Sequence, residues 1–146
     1  MAKSSLTIAA ALLFYLPVLS QQNDKALSFT PRDKKSDTSQ IRLLLDEGKN
    51  FENTNPDSSN YYYKKATAIA YALKQQQLLL KSMAQHIALL NNEAKFEDAL
   101  ALSQDHIDMA NQLGYPAVLL QAYNEAANEY EYLGDYEPAT ENYLKS

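Results

Sequence analysis

Residues 120–146 read LQAYNEAANEYEYLGDYEPATENYLKS, and large and small side chains alternate there at helical spacing. Leu120, Tyr123, Ala127 and Tyr130 fall at i, i+3, i+7 and i+10, with Ala126 beside them, which makes one apolar helix face. The face stops at Leu133-Gly134-Asp135, where Gly134 can close a helix in the left-handed conformation. A second pattern then starts with Tyr136, Ala139 and Tyr143. The stretch predicts a helical hairpin.

The same arrangement stands forty residues earlier, which a single hairpin does not require. Phe96, Ala99 and Ser103 precede Tyr136, Ala139 and Tyr143 by one period, and Leu80, Met83, Ile87 and Leu90 precede Leu120, Tyr123, Ala127 and Tyr130. One period earlier again come Pro56, Ser59 and Tyr63. The helix ahead of them carries Ile41, Leu44, Gly48 and Phe51 at the same internal spacing but one residue late, so its turn must be shorter. Helices are expected at about 39–53, 57–74, 77–92, 96–113, 117–133 and 136–146. Antiparallel helices approach closely only where one presents Ala or Gly to the other's bulky side chain, so Ala99 and Ala139 are packing positions. A lone hairpin leaves one face unburied, and stacking the next hairpin covers it.

Composition supports an all-α chain. Ala, Leu, Gln, Glu and Lys are abundant, β-branched residues are scarce, and there are only 3 glycines among 146 residues. The formal charge is -5 and no basic cluster is large enough to grip a phosphate backbone, so no nucleic-acid partner is expected. With no cysteine, the chain has no disulfide, thiolate zinc site or cysteine nucleophile.

Residues 1–20 have Lys3 near the start, an apolar run over 6–14, a break at Pro17 and the small-residue ending Val18-Leu19-Ser20. Those are the parts of a secretory signal peptide cleaved near Ser20. The apolar segment is about 14 residues long, short of the roughly 20 that span a bilayer. An exported, periplasmic or extracytoplasmic protein is therefore expected. Residues 21–38 are polar and mixed in charge, with only Leu27 and Phe29 as sizeable apolar groups, and are expected to form a flexible leader.

The repeats over residues 39–146 resemble tetratricopeptide repeats. The match is carried by Tyr123, Ala127, Tyr130, Gly134-Asp135-Tyr136, Ala139 and Tyr143. It is fainter in the middle copy, where Ile87 stands at the small position beside Met83, Leu90, Phe96 and Ala99, and weakest in the first, where Pro56 and Ser59 replace the aromatic and alanine. The forty-residue period resembles the family's long-helix subclass. The resemblance implies an α-solenoid of about three hairpins, the last truncated, without catalytic residues, cofactor or metal.

It further implies a concave groove, lined by the first helix of each repeat, that takes an extended peptide or a partner's helix. By repeat position the groove would show Arg42, Leu45 and Lys49, then Lys81, Ala84, Ala88 and Asn91, then Gln121, Asn124 and Asn128. Asn124 and Asn128 are one turn apart, so both amides could hydrogen-bond a peptide backbone, or both could simply be solvated. Where some members clamp a C-terminal carboxylate, this chain has Leu45, Lys49, Gln85, Gln121 and Glu125, and Glu125 would repel one. Arg42, Lys49 and Lys81 make one end of the groove basic, which permits an acidic ligand.

The order of signal-like start, polar leader and repeats opening on Asn55-Pro56-Asp57 also resembles the sensor regions of bacterial signalling proteins. In those a membrane helix and an output domain follow, and residues 1–146 read as the N-terminal piece of such a protein. A free-standing periplasmic or secreted adaptor is the alternative, and the non-catalytic part of an enzyme is a third reading. The repeats themselves are not expected to contact a membrane.

Other residue clusters read as structural. His86 and His106 lack a histidine three or four positions away, as a helical metal site requires. Glu125, Glu129, Glu131, Asp135, Glu137 and Glu141 are spread around their helices and read as a solvated acidic surface. Consecutive Tyr61, Tyr62 and Tyr63 point roughly 100° apart on a helix, so packing is their expected role.

Overall fold

The computed structural model describes residues 34–146. Among them are six helices and no strand: α1 Lys34–Phe51, α2 Pro56–Ala72, α3 Gln76–Asn92, α4 Phe96–Leu113, α5 Pro116–Leu133 and α6 Tyr136–Tyr143. The all-α class and the six helices agree with the sequence pattern. Two ends differ. Helix α1 begins at Lys34, so residues 34–38, expected in the leader, extend it instead. Once the apolar turns behind them are fixed, each added residue gains a backbone hydrogen bond at small cost. Helix α6 stops at Tyr143 rather than running to 146. The expected signal peptide and the leader up to residue 33 lie outside the described residues.

The forty-residue period resolves into two units of twenty. Helices α2 to α6 begin at Pro56, Gln76, Phe96, Pro116 and Tyr136, and left-handed residues recur at Lys74, Ala94, Gly114 and Gly134. At each of these four turns the next N–H donates to a carbonyl five residues back: Gln75 to Ala70, Lys95 to Leu90, Tyr115 to Ala110 and Asp135 to Tyr130, at 2.8–3.0 Å. This bond satisfies a carbonyl that the helix end would otherwise leave open. The turn before α2 is built differently. Asn55 accepts from the Ser58 N–H at 3.1 Å, and Pro56 occupies the first helical position, where its missing N–H is not needed.

Each helix packs chiefly on the next one in the chain, with thin contacts between α1 and α3 and between α3 and α5. Short connections make neighbours antiparallel, so the helices form a stack of hairpins rather than a bundle around one axis. The main core runs through Ile41, Leu45, Tyr63, Ala66, Ala70, Leu79, Leu80, Met83, Leu89, Met109 and Ala110, and a smaller cluster joins Ile107, Ala122 and Ala126. Ala99, Ala127 and Ala139 are buried at helix contacts. Phe96 stacks on Tyr132 with ring centroids 4.7 Å apart.

Some expected packing residues lie elsewhere. The buried face of α5 carries Ala122, Ala126, Ala127 and Glu129, while Leu120 is 50% exposed and Tyr123 and Tyr130 are only half-buried. Small residues let α5 lie close to its neighbours, and that turns the bulky series toward the edge of the contact. Tyr136 is 69% exposed because it opens α6, past the edge of α5. Tyr143 is also exposed, and its hydroxyl bonds Asn128 and Glu131. Glu129, expected on the acidic surface, is fully buried. Of the three tyrosines, Tyr63 is buried, Tyr62 stacks on Phe51 at 5.7 Å and Tyr61 is exposed.

Candidate functional site

Helices α3 and α5 lie on the same side of the stack with α4 behind them, and the space they frame is a concavity of about 590 Å³. Along α3 its wall is Gln77, Leu80, Lys81, Ala84, Gln85 and Ala88, residues that recur at the three- and four-residue spacing of one helix face. Along α5 it is Val118, Gln121 and Glu125, again one turn apart, with Tyr115 from the preceding turn. The small Ala84 and Ala88 keep the space open. His106 reaches it from α4.

The floor is polar and unsatisfied. His106 is 0% exposed, and neither ring nitrogen has a hydrogen-bond partner. Its Nδ1 stands 3.8 Å from Glu125 Oε2, beyond hydrogen-bonding distance. Glu125 Oε1 accepts from Gln121 Nε2 at 2.8 Å, an i,i+4 bond that orients the carboxylate and leaves Oε2 open. Gln85 Oε1 is buried without a partner as well. Leaving a buried polar atom unpaired costs about 1–3 kcal/mol, and three side chains from three helices bring such atoms to this one concavity. Among the described residues no three His, Cys, Asp or Glu side chains are placed to hold a metal.

A second polar cluster lies deeper. Glu129 Oε1 accepts from Asn91 Nδ2 and from Ser103 Oγ, each at 3.0 Å, joining α5 to α3 and α4. Burial raises the Glu129 pKa above the ordinary carboxylate range, assisted by the charge of Glu125 and opposed by the two hydrogen bonds. His86 Nε2 lies 2.6 Å from Asn60 Oδ1, joining α3 to α2, and burial, with Lys64 and Lys95 nearby, lowers its pKa to about 4.

Of the groove residues expected from sequence, Lys81, Ala88 and Gln121 line the concavity together with Ala84. Arg42 and Lys49 are exposed on α1 outside it, and Asn124 is exposed on α5 beside it. Three others have partners or places within the fold. Leu45 is buried in the core, Asn91 is bonded to Glu129, and Asn128 accepts from the Tyr143 hydroxyl at 2.6 Å, so it does not act in parallel with Asn124. Gln85, Gln121 and Glu125, which the resemblance groups at one clamp, do share the concavity, and His106, which the sequence does not place with them, joins them from α4. Tyr115 and Val118 were missed, although their spacing from Gln121 and Glu125 is helical.

The stack matches the crystal structure of the TPR domain of Arabidopsis FLU with a TM-score of 0.67, over 74% of this chain and 92% of that one. The fold is that of a tetratricopeptide-repeat domain. Sequence identity across that match is 24%, so the likeness is one of fold. No protein-family model and no curated protein matches the sequence. In the terms of this fold, α1, α3 and α5 are the first helices of three repeats and α2, α4 and α6 the second. The concavity lies between the first helices of repeats two and three.

Proposed function

We propose that the chain is a non-catalytic scaffold that binds an extended peptide, or a helix of a partner protein, along the face formed by α3 and α5. The observation that carries it is the concavity itself, with apolar walls and unpaired polar groups at its floor. Such a surface gives binding area through its walls and register through its floor. No cluster on it pairs a nucleophile with a base in the manner that catalysis needs.

The wider reading is that these repeats form the sensor or interaction region of a longer bacterial signalling protein, outside the cytoplasm. It is supported by the signal-peptide pattern of residues 1–20 followed by a polar leader and repeats. On this reading a membrane helix and an output domain follow the repeats.

The test is selection from a displayed library of random peptides on the purified chain, followed by affinity measurement with Ala88→Arg. Ala88 is exposed and on the wall, so an arginine there fills the groove without disturbing the core. Selected peptides are expected to bind the variant at least about tenfold more weakly, a loss of about 1.4 kcal/mol. Equal binding to both proteins would move the binding surface elsewhere and overturn the proposal.

A further inference from the structure

We propose that the floor of the concavity is a recognition point for an arginine side chain, carried by the bound peptide; this deepens the scaffold reading and rests on it. Three open groups converge there: Glu125 Oε2, Gln85 Oε1 and the ring nitrogens of His106. A carboxylate and an amide oxygen accept hydrogen bonds only, and an imidazole carrying one proton has one accepting nitrogen. The floor therefore offers three acceptors from three helices, with a negative charge among them. Its ligand must bring several N–H donors and a positive charge.

A guanidinium meets both requirements. Its five N–H groups lie in a rigid plane and reach acceptors on different sides at once, and it gives up its hydration more readily than an ammonium. A lysine ammonium also carries three donors, but it is a compact and more strongly hydrated point charge that gives up its water less readily. A carboxylate, phosphate or acidic side chain is disfavoured by Glu125, since placing two like charges side by side at a half-buried site costs free energy. The aliphatic stem of the arginine would lie along Leu80, Ala84 and Val118. Lys81, exposed on the wall, is the one cation among the lining residues, and it favours ligands whose single positive charge reaches the floor over strongly basic ones. Polar contacts already present do not use up the site: Gln121 takes only the other oxygen of Glu125.

The probe is N-acetyl-arginine amide, titrated into the full chain while the His106 ring and the Gln85 side-chain amide are followed by NMR. N-acetyl-citrulline amide, which has nearly the same shape without the charge, and N-acetyl-lysine amide are the controls. The arginine probe is expected to shift both signals saturably, and the citrulline probe to bind at least about tenfold more weakly. Glu125→Gln keeps the size of the side chain and the Gln121 bond, and should reduce arginine affinity by a similar factor in a chain that still unfolds in one cooperative transition. Equal binding of arginine and citrulline, equal binding of lysine, or no loss with Glu125→Gln would each overturn the assignment. If displayed peptides bind the concave face but arginine neither appears among them nor shifts His106, this inference fails and the scaffold reading stands. If the arginine probe binds as described but no peptide is selected, the scaffold reading fails instead.

Discussion

Gly48 shows how much a single small residue decides. A Cβ placed on it would lie 2.6 Å from Tyr63 Cε1 and 2.8 Å from Cδ1, so the ring of Tyr63 rests directly on the backbone of α1. Tyr63 is fully buried and its hydroxyl donates to Glu52, which leaves the ring little freedom to move aside. Overpacking of this kind costs about 1–3 kcal/mol, against the ~1 kcal/mol that Ala contributes over Gly inside a helix. Gly48→Ala is therefore expected to lower stability in urea denaturation by about 1 kcal/mol. In a Tyr63→Leu background the same change should become neutral or stabilising, because the ring it collides with is gone. A loss of the same size in both backgrounds would show that the Gly48–Tyr63 contact is not its cause. The sequence pattern marked Gly48 as the small position of α1 and placed Tyr63 on the next helix. That the two touch depends on the crossing of the helices, which no local pattern records.

At the scale of the element, the turns set the geometry of the stack, and they were half legible. Gly134 reads as a helix stop in the sequence, and both it and Gly114 take positive φ, 82° and 74°. Lys74 and Ala94 occupy the equivalent positions at φ 55°, yet neither residue type announces a left-handed conformation. They adopt it because burial of α2 against α3 and of α3 against α4 fixes the path of the chain, and the penalty of roughly 1 kcal/mol each is outweighed by that packing. Ala94→Gly should therefore raise stability by about 0.5 kcal/mol, the relief of strain being partly cancelled by the greater freedom of glycine in the unfolded chain. Gly114→Ala should lower it by about 1 kcal/mol. A Cβ on Gly114 would meet nothing within 4 Å, so that loss would be due to the backbone alone. Thermal melts of the two variants are expected to move in opposite directions. A shift of both the same way would mean that these four turns do not share one mechanism.

At the scale of the molecule, neighbouring helices are joined by buried polar groups as well as by apolar contact, and here the sequence misled. Glu129 sits in a run of acidic residues and reads as surface, whereas it closes the hydrogen-bonded junction of α3, α4 and α5. The floor of the concavity was half legible: the repeat positions bring Gln85 and Glu125 together, whereas His106 comes from α4, the helix behind them, which the repeat pattern does not assign to the groove. The junctions give stability a pH dependence with two opposed arms. His86, buried beside Asn60 with its pKa lowered to about 4, is neutral in the fold and takes up a proton more readily when unfolded, where its pKa is about 6.5. Its contribution is complete above about pH 6.5 and is lost as pH falls toward 4, by at most about 3 kcal/mol. Glu129 acts the other way. Its raised pKa means that the fold holds the proton more tightly than the unfolded chain, so its contribution is complete below the ordinary glutamate pKa of about 4.3 and declines as pH rises through the folded value. Glu129→Gln keeps an acceptor for Asn91 and Ser103 without a charge to bury. It should match the parent chain near pH 4 and exceed it once pH rises above the ordinary glutamate range, the gain levelling off above the folded value. His86→Gln should flatten the acid arm between pH 6.5 and 4. Urea denaturation of the three proteins across that range separates the arms. A constant offset between Glu129→Gln and the parent would remove the buried carboxylate as the source of the neutral-side decline, leaving the junction held by geometry alone.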